Sequence, residues 1–374
     1  MRIGYDAKRA FNNYSGLGNY SRYIISNICR FYPENDCLLY TPSIAHDDLF
    51  REPERSIIKQ PGSLLGKYSR SYWRSFSLSH RLEKDGVDIY HGLSNELPFG
   101  IHKTRTCSII TIHDLIFLEH PELYKPLDCY VYKKKVRYGA HAASRIIAVS
   151  EQTKQDIVRF LDVDESRISV VYQGCNRQFY HRVSEETLQF TRQRFALPAE
   201  YMLYVGTIEE RKNLLKIVEA LYHGNIDVPL VVVGRKTAYY NQVKSFIEKN
   251  GLQNIHFLDQ VQTTDLPSIY QGSRGFIYPS SYEGFGIPIL EALNSGIPVI
   301  TSRGGCLEET AGRGGVLINP SNRDEMIHSI SLVLEDSAVR DRLIREGGAH
   351  ALKFREEQTI PALYNIYLEC RKND

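Results

Sequence analysis

The chain has 374 residues, 42% hydrophobic and 24% charged, the profile of a soluble globular protein with room for two domains of ordinary size. Its net charge of +2 gives no global attraction to nucleic acid. The seven cysteines (29, 37, 107, 129, 175, 306 and 370) are odd in number, scattered and never in a C-x-x-C pair, so neither a disulfide framework nor a zinc site is expected, and a reducing compartment is.

Met1 leads straight into strand-like Arg2–Ala7, leaving no space for a signal peptide, and no apolar run approaches the length of a spanning helix. A cytoplasmic protein is therefore expected. Short apolar strands alternate with amphipathic helices throughout, the signature of α/β units around parallel sheets. In the first half, strands are predicted near Arg2–Ala7, Cys37–Thr41, Val87–Gly92, Thr106–Ile112, Arg145–Ser150 and Ile168–Tyr172. After the first of them, Asn12–Tyr20 holds Gly16 and Gly18 in a flexible loop before an apolar-patterned helix from Tyr20 onward.

The stretch Lys67–Arg81 interleaves Lys67, Arg70, Arg74 and Arg81 with Tyr68, Tyr72, Trp73 and Phe76, and it contains no acid. Lys133, Lys134, Lys135 and Arg137 form a second basic cluster. Two readings stay open for such runs: a solvated helix face with its aromatics turned inward, or peripheral contact with an anionic membrane or lipid-diphosphate acceptor. His113 and Asp114 end a very apolar strand, where a histidine can donate a hydrogen bond to a sugar hydroxyl. His91, after Val87–Tyr90, is a weaker candidate for the same edge. Asp162-Val163-Asp164 spells D-x-D but falls in a polar loop between helix and strand, and reads as a chance match.

Residues 1–175 thus read as one Rossmann-like domain, 176–200 as a polar linker, 201–355 as a second Rossmann-like domain and 356–374 as a terminal helix. Second-half strands are predicted near Met202–Gly206, Leu230–Gly234, Ile255–Leu258, Gly275–Pro279, Pro298–Thr301 and Gly315–Ile318. The first of these ends at Gly206, and a polar loop then carries Arg211 and Lys212, two adjacent cations suited to a diphosphate. Gly234 with Arg235, and Asp259 to Val261, follow the next two strands, at positions that could meet a nucleotide. Glu309 reads as structural.

The most informative stretch is Tyr278–Pro298, YPSSYEGFGIPILEALNSGIP. Gly284 and Gly286 let the backbone turn tightly against a ligand, and Pro288 suits the first turn of a helix. A helix N-terminus after a glycine loop exposes free N–H groups and about half a positive charge, which favours a phosphate. Glu283 and Glu291 flank that anion site with acceptors for hydroxyl groups, so a nucleotide sugar is the expected ligand.

The E-x7-E pattern with its internal Gly-Phe-Gly, together with G-x-x-x-x-R-K-N from Gly206 to Asn213, resembles the donor site of retaining glycosyltransferases of family four, which have the GT-B fold. The resemblance covers essentially the whole chain, most strongly Tyr201–Gly312. It implies an α/β protein with two doubly wound Rossmann-like domains facing a central cleft, and a terminal helix crossing back to the first. It also implies Glu283 against the donor sugar, Glu291 on the ribose, and Arg211 and Lys212 neutralising the diphosphate. Gly16, Gly18, Gly206, Gly284, Phe285, Gly286 and Ile287 complete the implied donor site, with His113 beside the sugar. Many relatives carry a further arginine after the first glycine, where this chain has Thr207.

The expected activity is transfer of a hexose from a nucleotide-diphosphate sugar to a saccharide or lipid-linked acceptor in surface-polysaccharide synthesis. The G-T-I-E-x-R-K-N form together with His113-Asp114 resembles bacterial mannosyltransferases and favours GDP-mannose. A UDP-hexose-dependent transferase, a nucleotide-sugar epimerase and a non-catalytic nucleotide-sugar-binding protein stay open. No metal, no other cofactor and no nucleic-acid partner are expected.

Overall fold

The computed structural model describes residues 1–46, 49–62, 70 and 72–372. It divides into two compact units, Met1–Gly174 with Glu356–Asp374, and Cys175–Arg355.

The first unit is built on a parallel sheet of seven strands: β1 Arg2–Asp6, β2 Asp36–Tyr40, β3 Ser56–Lys59, β4 Ile89–Gly92, β5 Cys107–Ile112, β6 Arg145–Ala148 and β7 Ile168–Val170. Their order is β3-β2-β1-β4-β5-β6-β7. Central strands read as apolar runs because helices cover both faces of the sheet; all six residues of β5 are buried. Only β3 is absent from the predicted strands. It is an edge strand of four residues, none of them buried, and so carries little hydrophobic signal.

The helix Gly16–Phe31 buries Tyr20, Ile24, Ile25 and Ile28 along one stripe. It begins at Gly16, ahead of the predicted start at Tyr20, so both loop glycines belong to its first turn. A Cβ on Gly18 would lie 1.9 Å from the Asn13 carbonyl oxygen, which leaves room only for glycine.

The C-terminal helix Glu356–Lys372 completes the same unit. It buries Ile360, Leu363, Tyr364, Ile366, Tyr367 and Cys370 in a core shared with Ile3, Tyr5 and Ile24. The Tyr364 hydroxyl accepts from Asn35 at 3.1 Å, and the Tyr23 and Thr359 hydroxyls pair at 2.8 Å. Cys370 is joined to Cys107 at the start of β5 as a disulfide, with Cα atoms 6.1 Å apart. The scattered spacing predicted no disulfide framework; this single pair across 263 residues is set by tertiary packing and leaves no local pattern. Cys29 and Cys37 also meet, with sulfurs 2.8 Å apart.

The second unit has a six-stranded parallel sheet: β8 Met202–Val205, β9 Leu230–Val233, β10 Ile255–Leu258, β11 Gly275–Tyr278, β12 Val299–Ser302 and β13 Gly315–Ile318. The order β10-β9-β8-β11-β12-β13 reverses direction between β8 and β11, the switch point at whose carboxyl ends ligands bind in such sheets. Residues 176–200, expected as a linker, instead carry the 3-10 turn Arg177–Tyr180 and the helix Glu185–Arg194, capped by Ser184. Phe179 from this stretch is fully buried and packs edge-on against Tyr270 at 5.6 Å.

Candidate donor site at the switch point of the second sheet

The loops that follow β8 and β11 lie side by side because their strands are neighbours. Asn213 stitches them together. It takes the left-handed conformation (φ 56°), one that asparagine tolerates better than most residues, and its amide donates to the Pro279 carbonyl at 2.7 Å and to Ser281 Oγ at 2.9 Å. The Ser281 N–H donates to the Arg211 carbonyl at 2.8 Å. Gly234, at the end of β9, supports the β8 loop from the other side; a Cβ there would lie 1.8 Å from the Gly206 carbonyl oxygen.

This frame converges Arg211 and Lys212 on Glu283. Arg211 Nη1 is 2.7 Å and Lys212 Nζ 3.1 Å from Glu283 Oε1. Tyr278 OH and Ser280 Oγ donate to the same oxygen, each at 2.8 Å. Lys212 Nζ also donates to Tyr278 OH at 2.5 Å, while Arg211 donates to Glu209 at 2.6 Å and to the Tyr282 carbonyl. Burial by itself would raise the Glu283 carboxyl, but the Lys212 and Arg211 charges and the bonds from Arg211 and Tyr278 outweigh it and hold the group at about 2. Glu283 is therefore ionised at any physiological pH.

The backbone of 283–286 then enters the helix Ile287–Asn294, with Pro288 in its first turn and Gly286 at its N-cap (φ 134°). Helix Gly305–Ala311 braces this loop: Cys306 Sγ donates to the Glu283 carbonyl at 3.0 Å, and Thr310 Oγ1 to the Phe285 carbonyl at 3.2 Å. The Phe285 ring is buried against Phe354 at 5.6 Å. Gly284 and Ile287 are half-buried. Within the helix, Glu291 accepts from Tyr270 OH at 3.0 Å. Burial pushes its carboxyl up to about 7, against the smaller opposing effect of that bond.

Residues 23–179 match the model described as Glycosyltransferase Family 4, and residues 186–350 match Glycosyl transferases group 1. The O-antigen chain mannosyltransferase B of Escherichia coli is 30% identical over 75% of this chain and 74% of its own length. The chain belongs to glycosyltransferase family 4. The serotype-specific mannosyltransferase WbdA of Escherichia coli is 27% identical over 66% of this chain, which spans only 31% of that longer protein. The sucrose-phosphate synthase of Thermosynechococcus elongatus superposes over the full length of both chains with a TM-score of 0.80 at 17% identity. The fold is GT-B, with Rossmann-like sheets of seven and six strands.

In the first unit of the transferase, His113 is buried and its Nε2–H donates to the Leu93 carbonyl at 2.9 Å. Burial pushes the imidazole down to about 4, so it is neutral and its Nδ1 is an acceptor. The ring's one N–H is thus engaged by the backbone. His91 is a core residue rather than an edge residue. It is fully buried between Tyr367 OH at 2.6 Å and Thr111 Oγ1 at 2.8 Å. Gly16 stands exposed at the start of its helix, with open space around it.

The basic-aromatic stretch is divided in the same way. Lys67 and Tyr68 lie outside the described residues. Arg74 turns inward to an ion network with Asp6 and with Glu96 at 2.5 Å, and Trp73 is buried beside it. Lys135 also pairs with Glu96, at 3.4 Å, and Arg81 with Asp85, at 3.0 Å. Asp164 of the D-x-D caps a 3-10 turn by accepting from the Ser166 N–H at 2.9 Å. Among the described residues there is no cluster of three or more His, Cys, Asp or Glu able to hold a metal.

Sequence reasoning missed the residues that shape the site from behind. Asn213 was visible in the R-K-N motif but carried no role, Tyr278 read as the end of a strand, and Ser280 and Tyr270 carried no role. Asn213, Tyr278 and Tyr270 act across the gap between adjacent β-α units, on Pro279, with Lys212 and on Glu291, whereas Ser280 reaches Glu283 within its own loop.

Proposed function

We propose that the protein is a retaining glycosyltransferase that moves mannose from GDP-mannose onto a saccharide or lipid-linked saccharide in surface-polysaccharide synthesis. The observation that carries this reading is the convergence of Arg211 and Lys212 on Glu283 at the switch point, beside a glycine-led helix N-terminus. Likeness to the O-antigen mannosyltransferase favours mannose and that acceptor class. When the anomeric C–O bond breaks, its electron pair passes to the diphosphate oxygen. Arg211, Lys212 and the helix N-terminus stabilise that charge. The acceptor hydroxyl oxygen then bonds to the same face of the anomeric carbon, and its proton goes to the departing diphosphate. Glu283, an acceptor at all working pH values, holds the sugar and stabilises positive charge at its ring, and Glu291 holds the ribose hydroxyls. Roles for His113, Gly16 and Gly18 in this reaction rest on the family resemblance alone.

A cytoplasmic location with peripheral contact to the inner membrane face belongs to the same proposal. It is supported by an exposed stripe on the helix Pro126–Ala142, where Leu127, Tyr130 and Val131 lie among Lys133, Lys134 and Arg137. Exposed Tyr72, Phe76 and Phe99 stack successively at 5.0 Å and continue to Tyr138 on that helix. No helix among the described residues is long and apolar enough to cross a membrane.

The test is calorimetric binding of GDP, UDP, dTDP and ADP without added metal. GDP is expected to bind tightest. Preference for UDP would replace the donor with a UDP-hexose, and binding of none of the four would remove the assigned site.

A further inference from the structure

All four bonds that reach the Glu283 carboxylate among the described residues go to Oε1, from Arg211, Lys212, Tyr278 and Ser280. Oε2 takes none of them. The four donors differ in how they are held. Arg211 and Lys212 stand on the short 3-10 turn Glu210–Lys212 in the loop after β8. Tyr278 and Ser280 are fixed by the sheet: Thr301 Oγ1 donates to the Tyr278 carbonyl at 2.8 Å and Ser302 Oγ to the Ser280 carbonyl at 2.6 Å. Both are buried, and the Tyr278 ring stacks on Phe276 at 5.8 Å. The Tyr278 hydroxyl has one proton and two neighbours, and Lys212, which can only donate, leaves that proton for Glu283.

A diphosphate and Glu283 compete for the same two cations. We propose that Tyr278 and Ser280 are positioning residues that keep Glu283 in place once the donor diphosphate draws Arg211 and Lys212 away from it. The ligand-free site is then a closed ion cluster in which Glu283 stands in for the diphosphate, and the tyrosine and serine hydroxyls are the holders that persist through binding. The inference rests on the reading of Glu283 as the residue against the donor sugar. Titratable neighbours of this carboxylate in the second unit are Arg211, Lys212, Tyr278, Tyr204 and, through Arg211, Glu209.

The experiment uses the full chain with Y278F, S280A and E283Q. It combines calorimetry with GDP and steady-state release of nucleoside diphosphate from the nucleotide sugar that calorimetry selects. Y278F keeps the ring packing and is expected to lose kcat about tenfold or more, with donor KM and GDP Kd within about twofold of the parent. S280A is expected to follow the same pattern more weakly. E283Q is expected to abolish turnover and to bind GDP several-fold tighter, because the cations are no longer shared. Parental kcat in both Y278F and S280A overturns the inference while leaving the donor-site reading intact. Parallel loss of GDP affinity and kcat in Y278F also overturns it, assigning the hydroxyl to loop structure alone. Retained turnover in E283Q overturns the donor-site reading and this inference with it.

Discussion

At Glu291 one hydroxyl, that of Tyr270, faces the carboxyl, and burial pushes the group up to about 7. At Glu283 two cations and two hydroxyls hold the same side chain at about 2. Both glutamates are legible as a pair in the sequence, but their opposite electrostatics are not, because Arg211, Lys212 and Tyr270 come from other β-α units. The difference has a consequence for pH. A ribose diol donates to an ionised carboxylate, so binding favours deprotonated Glu291 and releases a proton below pH 7. Nucleotide affinity is therefore expected to rise from pH 5.5 to about 8 and then level off. In Glu291→Gln affinity is expected to be weaker and flat over that range. Calorimetry in two buffers of different ionisation enthalpy checks both the slope and the proton count; a parental profile without slope would take Glu291 off the ribose.

The loops after β8 and β11 depend on Asn213 in two ways. Its backbone is left-handed, and its amide satisfies the Pro279 carbonyl in a buried setting. Asn213→Ala leaves that carbonyl unpaired and forces alanine into the left-handed region, together about 3 kcal/mol. Asn213→Gly keeps the backbone free and is expected to recover about 1 kcal/mol of this loss. Urea denaturation measures both, and parental stability in Asn213→Ala would mean that the stitch is dispensable. Among the described residues, twelve of the thirteen strands lie where apolar runs and turns predict them, because buried parallel strands must be apolar along their whole length. The exceptions share a cause. β3 is an exposed edge, and the helix Glu185–Arg194 buries only Thr191, so neither leaves a hydrophobic pattern to read. The start of the helix at Gly16 was hidden by the ordinary turn meaning of two glycines.

The two units of the whole molecule differ in their sensitivity to acid. In the first, burial pushes His91 down to about 3 and His113 to about 4. His91 faces Tyr367, Thr111, Tyr5 and His113; His113 faces the Leu93 carbonyl, the Tyr20 ring and the charge of Arg9. Unfolded, both would protonate near 6.5, so between that value and their native values the unfolded state binds more protons and stability falls as pH falls. Each histidine costs about 2 kcal/mol by pH 5. The lowered carboxyls of Asp85 and Glu96 in this unit add to the loss only below about 4.5. In the second unit the raised Glu291 binds its proton more readily folded than unfolded. Between about 7 and 4.5 it therefore gains stability on acidification, which offsets the lowered His350. The single tryptophan, Trp73, is buried in the first unit and makes its unfolding visible alone. Lowering the pH from 7.5 to 5 is expected to move the Trp73 fluorescence transition in urea to clearly lower denaturant. The part of the circular-dichroism transition that GDP protects is expected to stay nearly fixed. A common shift of both signals would mean that the two units unfold as one cooperative body and that the buried histidines do not set its acid limit.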